Sequence, residues 1–118
     1  MLVHMMKSKI HRAVVTQADL SYVGSITIDK RLIDATDMAV NEQVHVVNIN
    51  NGQRFVTYVL EGEEGSGIVC VNGACARLCE EGDRVIIVTY CMMEAEERQA
   101  YQPKIVHVRD SNLDFAHL

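Results

Sequence analysis

The sequence predicts a mainly β single domain with a few short helices. Three observations point there. Val and Ile are frequent, and a branched Cβ packs well on a pleated surface. Short apolar runs alternate with turn residues along the chain. The pair Asn51-Gly52 stands between two such runs, where a two-residue type I′ turn requires positive φ twice. One domain over 1–118 suits the length. A chain of this size buries roughly two-thirds of its unfolded surface, enough for a core without disulfides. A small barrel is the natural closed form for many short strands, but the pattern alone does not separate it from a sandwich.

The elements follow in order. Residues 7–15 read as an extended basic segment with Lys7, Lys9, His11 and Arg12. In 23–29, Ile26 and Ile28 alternate with Thr27 and Asp29, the period of a strand. Leu32, Ile33, Ala35 and Met38 suit a short helix over 30–38, with Asp29 as its N-cap. Strands at 43–49 and 53–61 flank the Asn51-Gly52 hairpin. A loop at 63–67 leads to a short strand at 68–71 and a turn at Asn72-Gly73. Residues 74–78 fit one or two helical turns, and 81–83 another turn. The most apolar strand, 84–91, is expected to cross the core. A helix at 94–100 and a last strand at 104–109 follow, and the tail from 111 to 118 is expected to be loose.

Charge narrows the function. Acidic residues outnumber basic ones by 16 to 11, a net charge of −5, whereas phosphate backbones need a basic surface. A nucleic-acid partner is not expected, and any anion site must be built locally. No apolar run approaches the ~20 residues of a membrane span. Residues 1–7 lack the pattern of a signal peptide, so a cytoplasmic chain is expected. Cys70, Cys75, Cys79 and Cys91 contain no C-x2-C pair, so they read as small, mostly buried thiols. His45, His107 and His117 show no consistent spacing to each other or to cysteine, and no metal is expected.

Three blocks carry a stronger signal. The first holds Lys9, His11, Ala18-Asp19-Leu20 and Tyr22-Val23-Gly24-Ser25. The second is Asn51-Gly52-x-Arg54-Phe55-x-Thr57-Tyr58. The third is Val71-Asn72-Gly73-Ala74, followed by Gly82-Asp83 and Ile87. Any one would be weak, and Gly-Ser alone is usually a loop. In this order and spacing, from about residue 6 to 103, the chain resembles the pyruvoyl-dependent L-aspartate 1-decarboxylases.

That resemblance implies a six-stranded double-psi β-barrel, a homotetramer with active sites between subunits, and cleavage between Gly24 and Ser25. The products would be a β chain, 1–24, and an α chain, 25–118, opening with a covalent pyruvoyl group derived from Ser25. The Ser25 hydroxyl would attack the Gly24 carbonyl, with Gly24 free to take unusual backbone angles. Thr57 and Asn72 would face the oxyanion. L-aspartate would then form an imine with the ketone, lose CO2 and leave as β-alanine for pantothenate and coenzyme A synthesis. Arg54 would clamp a substrate carboxylate with its planar fork, and Lys9 would add a positive group. Tyr58 would donate the proton to the carbanion. Thr57, Gly73, Ala74 and Cys75 would complete substrate binding. Cleavage could be spontaneous or helped by a maturation factor; the sequence leaves both open.

Two points sit uneasily. Arg54, Val56 and Tyr58 share one strand face, so Thr57 points away from Tyr58. A bulge, a strand end or a site between subunits would reconcile them, and the last fits a tetramer. Second, the family shows alanines after Asn-Gly, where this chain has Cys75. A thiol facing the ketone would make the protein unusually sensitive to thiol reagents. Tyr22, His11 and Lys9 also have plain readings, as a half-buried aromatic and surface charges. A rival from another class is a barrel-shaped binding module that keeps Gly24-Ser25 but never cleaves. A pyruvoyl enzyme for another amino acid is a third reading, against which Arg54 and the full set of blocks argue.

Overall fold

The longest strand, β1 (Val3–Val14), supports two neighbours and anchors much of the molecule. The computed structural model describes residues 1–118. After β1 come β2 (Gln17–Asp19), β3 (Ser25–Asp29), α1 (Lys30–Thr36), β4 (Gln43–Asn48) and β5 (Arg54–Gly62). Then follow β6 (Val69–Asn72), a 3-10 helix (Gly73–Leu78), β7 (Arg84–Met93), α2 (Ala95–Ala100), β8 (Lys104–Val108) and β9 (Phe115–His117). The mainly β class with short helices is therefore present. No helix is long and apolar enough to cross a membrane.

Nine strands hydrogen-bond in the order β2-β6-β3-β5-β4-β7-β1-β8-β9. Strand β5 joins two regions: residues 54–58 pair antiparallel with β4, and residues 59–62 pair parallel with β3. Strand β1 runs almost directly into β2. At the bend, Val15 N–H donates to Asp83 O and Thr16 N–H to Val69 O, both at 2.8 Å. As expected, β7 lies centrally, between β1 and β4. Its inward Val85 and Ile87 are fully buried, with Ile10, Ile26, Ile28, Val44, Val46, Val59, Val69 and Val71.

Asp29 fixes the far end of β3. Its Oδ1 accepts from Arg31 N–H at 2.8 Å, the N-cap expected from sequence. The same carboxylate accepts from Gly65 N–H at 3.1 Å and Gly67 N–H at 2.7 Å. This buried charge thus ties the 63–67 loop to the start of α1. The helix stops at Thr36, two residues short of expectation, because Asp37 takes left-handed angles (φ 55°) and its N–H turns back to Ile33 O.

Three expectations need correction. The Asn51-Gly52 hairpin forms, but only Gly52 has positive φ (74°), so the turn is not type I′. Gly52 N–H reaches Asn48 O at 2.9 Å, closing a four-residue loop. Asn48 and Asn51 each accept from the backbone two residues on and stabilise that longer turn. The tail is held rather than loose. Asn112, almost fully buried, accepts from Val14 N–H at 2.8 Å and donates to Val14 O at 2.7 Å and Gly67 O at 2.8 Å. Strand β9 then pairs with β8. Finally, β1 begins at Val3, well before residue 7, because Val3 to Met6 pair with Tyr90 to Met93.

Candidate active site at Gly24 and Ser25

The antiparallel register of β3 and β6 assembles the site. Ser25 lies opposite Asn72, Ile26 opposite Val71 and Thr27 opposite Cys70. Alternation then puts Ser25, Thr27, Asn72 and Cys70 on one face, while Ile26 and Val71 enter the core. Ser25 is fully buried and Asn72 nearly so. Asn72 Nδ2 donates to Ser25 Oγ at 3.1 Å and to Thr27 Oγ1 at 3.2 Å. Cys70 Sγ donates to Asn72 Oδ1 at 3.1 Å. Ser25 Oγ itself donates to Val23 O at 3.3 Å. The sequence reading singled out Ser25 and Asn72 but missed Thr27 and Cys70. Their spacing of two from those residues was the available signal.

Gly73 continues the site and must be glycine. Its φ is +70°, and a Cβ there would stand 2.6 Å from Gly24 Cα and 2.8 Å from Gly24 N. The close packing is therefore paid for at Gly73. Gly24 itself lies outside the left-handed region, and an added Cβ would meet only Asn72 O, at 4.0 Å. Gly24 has no left-handed φ in the unbroken chain; the positive φ belongs to Gly73, packed against it.

Tyr58 comes level with Ser25 by register. The parallel pairing of β3 and β5 begins at Ile26 with Val59. One step back on both strands sets Ser25 against Tyr58, whereas Gly24 lies in the bend before β3, outside the ladder, and the register does not pair it with Thr57. Both β5 residues are half-buried, and neither hydrogen-bonds to Ser25. The β4–β5 register is unbroken from Arg54 to Tyr58, so no bulge turns Thr57 and Tyr58 to the same side. Arg54 is exposed and forms no ion pair. Lys9 is half-buried on β1, between Val88 and Ile105. Strands β7, β4 and β5 separate β1 from β3 in the sheet order. One chain thus gathers Gly24, Ser25, Asn72 and Gly73 in direct contact, but not Lys9 or Arg54.

His11 packs against His107 edge to face, with ring centroids 5.0 Å apart. Its Nδ1 is buried without a partner. Burial first, then the positive Lys9, with His107 and Arg12, holds its pKa below the usual imidazole value. Ala74 is exposed. Cys75 is half-buried against the core, and burial pushes its thiol above the usual value. Both effects disfavour the thiolate, the reactive form, and so argue against unusual thiol sensitivity in the folded chain. Maleimide is expected to label Cys75 at least about tenfold more slowly in the folded chain than in urea, as read by peptide mass. Equal rates would contradict this.

The largest surface cleft, about 540 Å3, has His4, His45, Tyr90 and Met92 in its walls and none of the residues above. The Gly24–Ser25 site is thus a buried polar junction rather than the main cavity. Comparison with known proteins identifies the family. The family model described as aspartate decarboxylase matches residues 1–114. An aspartate 1-decarboxylase of Caldicellulosiruptor saccharolyticus is 59% identical over 112 residues, covering 95% of this chain and 88% of its own length. One from Thermoanaerobacter pseudethanolicus is 58% identical, covering 92% of both chains. One from Clostridium acetobutylicum is 56% identical, covering 95% of this chain and 88% of its own. By similarity over nearly its whole length, the chain belongs to the aspartate decarboxylase family.

Proposed function

We propose that this protein is a self-processing, pyruvoyl-dependent L-aspartate 1-decarboxylase that releases β-alanine and CO2. The observation that carries the reading is the Asn72 amide donating to Ser25 Oγ at 3.1 Å. It lies one residue from a Gly24 packed on Gly73, in a chain of this family.

Processing starts when Ser25 Oγ attacks the Gly24 carbonyl carbon. The C–N bond breaks, an ester forms, and the hydroxyl proton passes to the Ser25 nitrogen. Asn72 Nδ2 is beside the reacting oxygen and serves as a donor for the oxyanion, and we assign Thr57, on the neighbouring strand β5, as the second donor. Loss of the Ser25 α-proton expels the Gly24 carboxylate from Cβ. Water then converts the dehydroalanine to a ketone and ammonia. The products are chains 1–24 and 25–118. Oγ departs on Gly24, and the ketone oxygen forms on Cα in place of the Ser25 nitrogen. The buried Asn72 donor keeps Thr27 Oγ1 as an acceptor, so forming a pyruvoyl group orphans no buried N–H and the surroundings fit it.

When present, that group supplies a carbonyl for the substrate amine and an electron sink for decarboxylation. The chain's own residues do the rest. Arg54 clamps a carboxylate, and Lys9 adds positive charge to an otherwise acidic protein. Tyr58 delivers a proton to the α-carbon. Thr57 and the backbone N–H groups of Gly73, Ala74 and Cys75 hold the substrate.

Because Lys9 and Arg54 stand apart from Ser25 within one chain, we assign the complete site to a subunit interface in a homotetramer. The exposed, unpaired Arg54 and the exposed Val56, Tyr90 and Met92 support this. We also read the architecture as a six-stranded double-psi barrel. If β1 and β2 are one bent strand, then β1/β2, β6, β3, β5, β4 and β7 form a closed ring, with β8 and β9 outside it. The protein then serves pantothenate and coenzyme A synthesis in the cytoplasm, with cleavage either spontaneous or aided by a maturation factor. The purified protein is expected to release β-alanine from aspartate and to leave glutamate unchanged, by amino-acid analysis. Comparable kcat/KM for glutamate would overturn the substrate assignment.

A further inference from the structure

The Asn72 side chain must present its N–H end, not its oxygen, to Ser25. An amide has a donating and an accepting end of nearly equal shape, so the partners decide which way it points. On one side lie two hydroxyls, Ser25 Oγ at 3.1 Å and Thr27 Oγ1 at 3.2 Å, and either can accept. Thr27 can equally donate, and Ser25 favours the N–H end only while its one hydrogen stays on Val23 O, a long bond of 3.3 Å that must break when Oγ attacks; the two hydroxyls therefore do not hold the amide through the reaction. On the other side lies the Cys70 thiol, 3.1 Å from Asn72 Oδ1. A protonated thiol is a weak donor and a weak acceptor, and the short 3.1 Å contact with Oδ1 is the donor role, which favours the oxygen end of the amide on this side.

We propose that Cys70 is a positioning residue for chain cleavage, fixing the Asn72 amide so that its N–H end faces Ser25 and the Gly24 carbonyl. This rests on the self-processing reading above. The register supports it independently of any one distance: Thr27 pairs with Cys70 and Ser25 with Asn72, so the four side chains share one face. The thiol has a structural reason to stay protonated. It is almost fully buried, and its strand lies between β3 and β2, which brings the Asp19 carboxylate alongside. Burial, then Asp19, raises its pKa. Cys70 forms no bond to Ser25, so its effect is on the direction of Asn72 alone.

The test compares three substitutions in cell-free synthesised chain, following the conversion of 1–118 into 1–24 and 25–118 by intact mass over time. Cys70→Ala removes the donor. Cys70→Val removes it while restoring most of the volume, which separates hydrogen bonding from packing. Cys70→Ser keeps a donor. Cleavage is expected to slow about fivefold to tenfold in both Cys70→Ala and Cys70→Val, the size of one lost orienting hydrogen bond. Cys70→Ser is expected to stay within about twofold of wild type. Wild-type rates in Cys70→Ala and Cys70→Val would overturn the proposal, and so would equal slowing in Cys70→Ser. A wild-type chain that never cleaves, with cell lysate added to supply any maturation factor, would instead overturn the self-processing reading, and this inference with it.

Discussion

Ser25→Ala is expected to leave the chain whole and without decarboxylase activity. The substitution removes one buried oxygen, which is both the attacking atom and the leaving group's bridge. No other hydroxyl can replace it at that peptide bond: Thr27 Oγ1 is on the same face but belongs to the residue two positions on. Without a ketone, aspartate turnover falls to the uncatalysed background, a loss of at least about 10^6-fold. The fold should survive, since Ala occupies less space and the Asn72 amide retains Thr27 and Cys70 as partners. Circular dichroism that matches wild type, alongside absent β-alanine release, is the expected result. Measurable decarboxylation by this variant would overturn the mechanism.

Gly73→Ala should have the second-largest effect. The backbone there has φ +70°, which costs an alanine about 1–2 kcal/mol. The new methyl would also stand 2.6 Å from Gly24 Cα and 3.1 Å from Tyr22 O, and these are backbone atoms that cannot swing aside. Gly24 must move, and it carries the carbonyl that Ser25 attacks. Cleavage should slow by more than about 100-fold, since misplacement of reacting groups by about an ångström has effects of that size. Stability should fall by about 2–4 kcal/mol. Urea denaturation in the uncleavable Ser25→Ala background would separate this loss from processing. An unchanged midpoint there would show that the site tolerates the methyl. By contrast, Gly24→Ala adds a Cβ with only one neighbour, at 4.0 Å, and should be the milder change for folding.

Much of this was legible in the sequence because local patterns and motif spacing coincide. Alternation in 23–29 located β3, the apolar run 84–91 located β7, and Asp29 caps α1 as its type suggests. Long-range partners were not legible. Nothing local in Ser111 to Leu118 announces that Asn112 will bond to Val14, 98 positions earlier. The turn at Asn51-Gly52 was misjudged for a related reason. Asn48 and Asn51 supply side-chain acceptors that favour a longer loop over the two-residue type. In the site, residue types pointed to Ser25 and Asn72. The spacing of two hinted at Thr27 and Cys70, but it takes the strand register to show that they complete the network. The glycine constraint likewise shifted from Gly24 to Gly73, because it arises from two segments meeting rather than from the dipeptide itself.

The central claim is that Ser25 cuts its own chain and becomes the reactive group. Intact mass of the purified wild-type protein tests it most directly. The account requires two chains, 1–24 ending in a free carboxylate and 25–118 whose first residue lacks its amine and reacts with a carbonyl reagent. A single unmodified chain of 118 residues that nevertheless decarboxylates aspartate would contradict it.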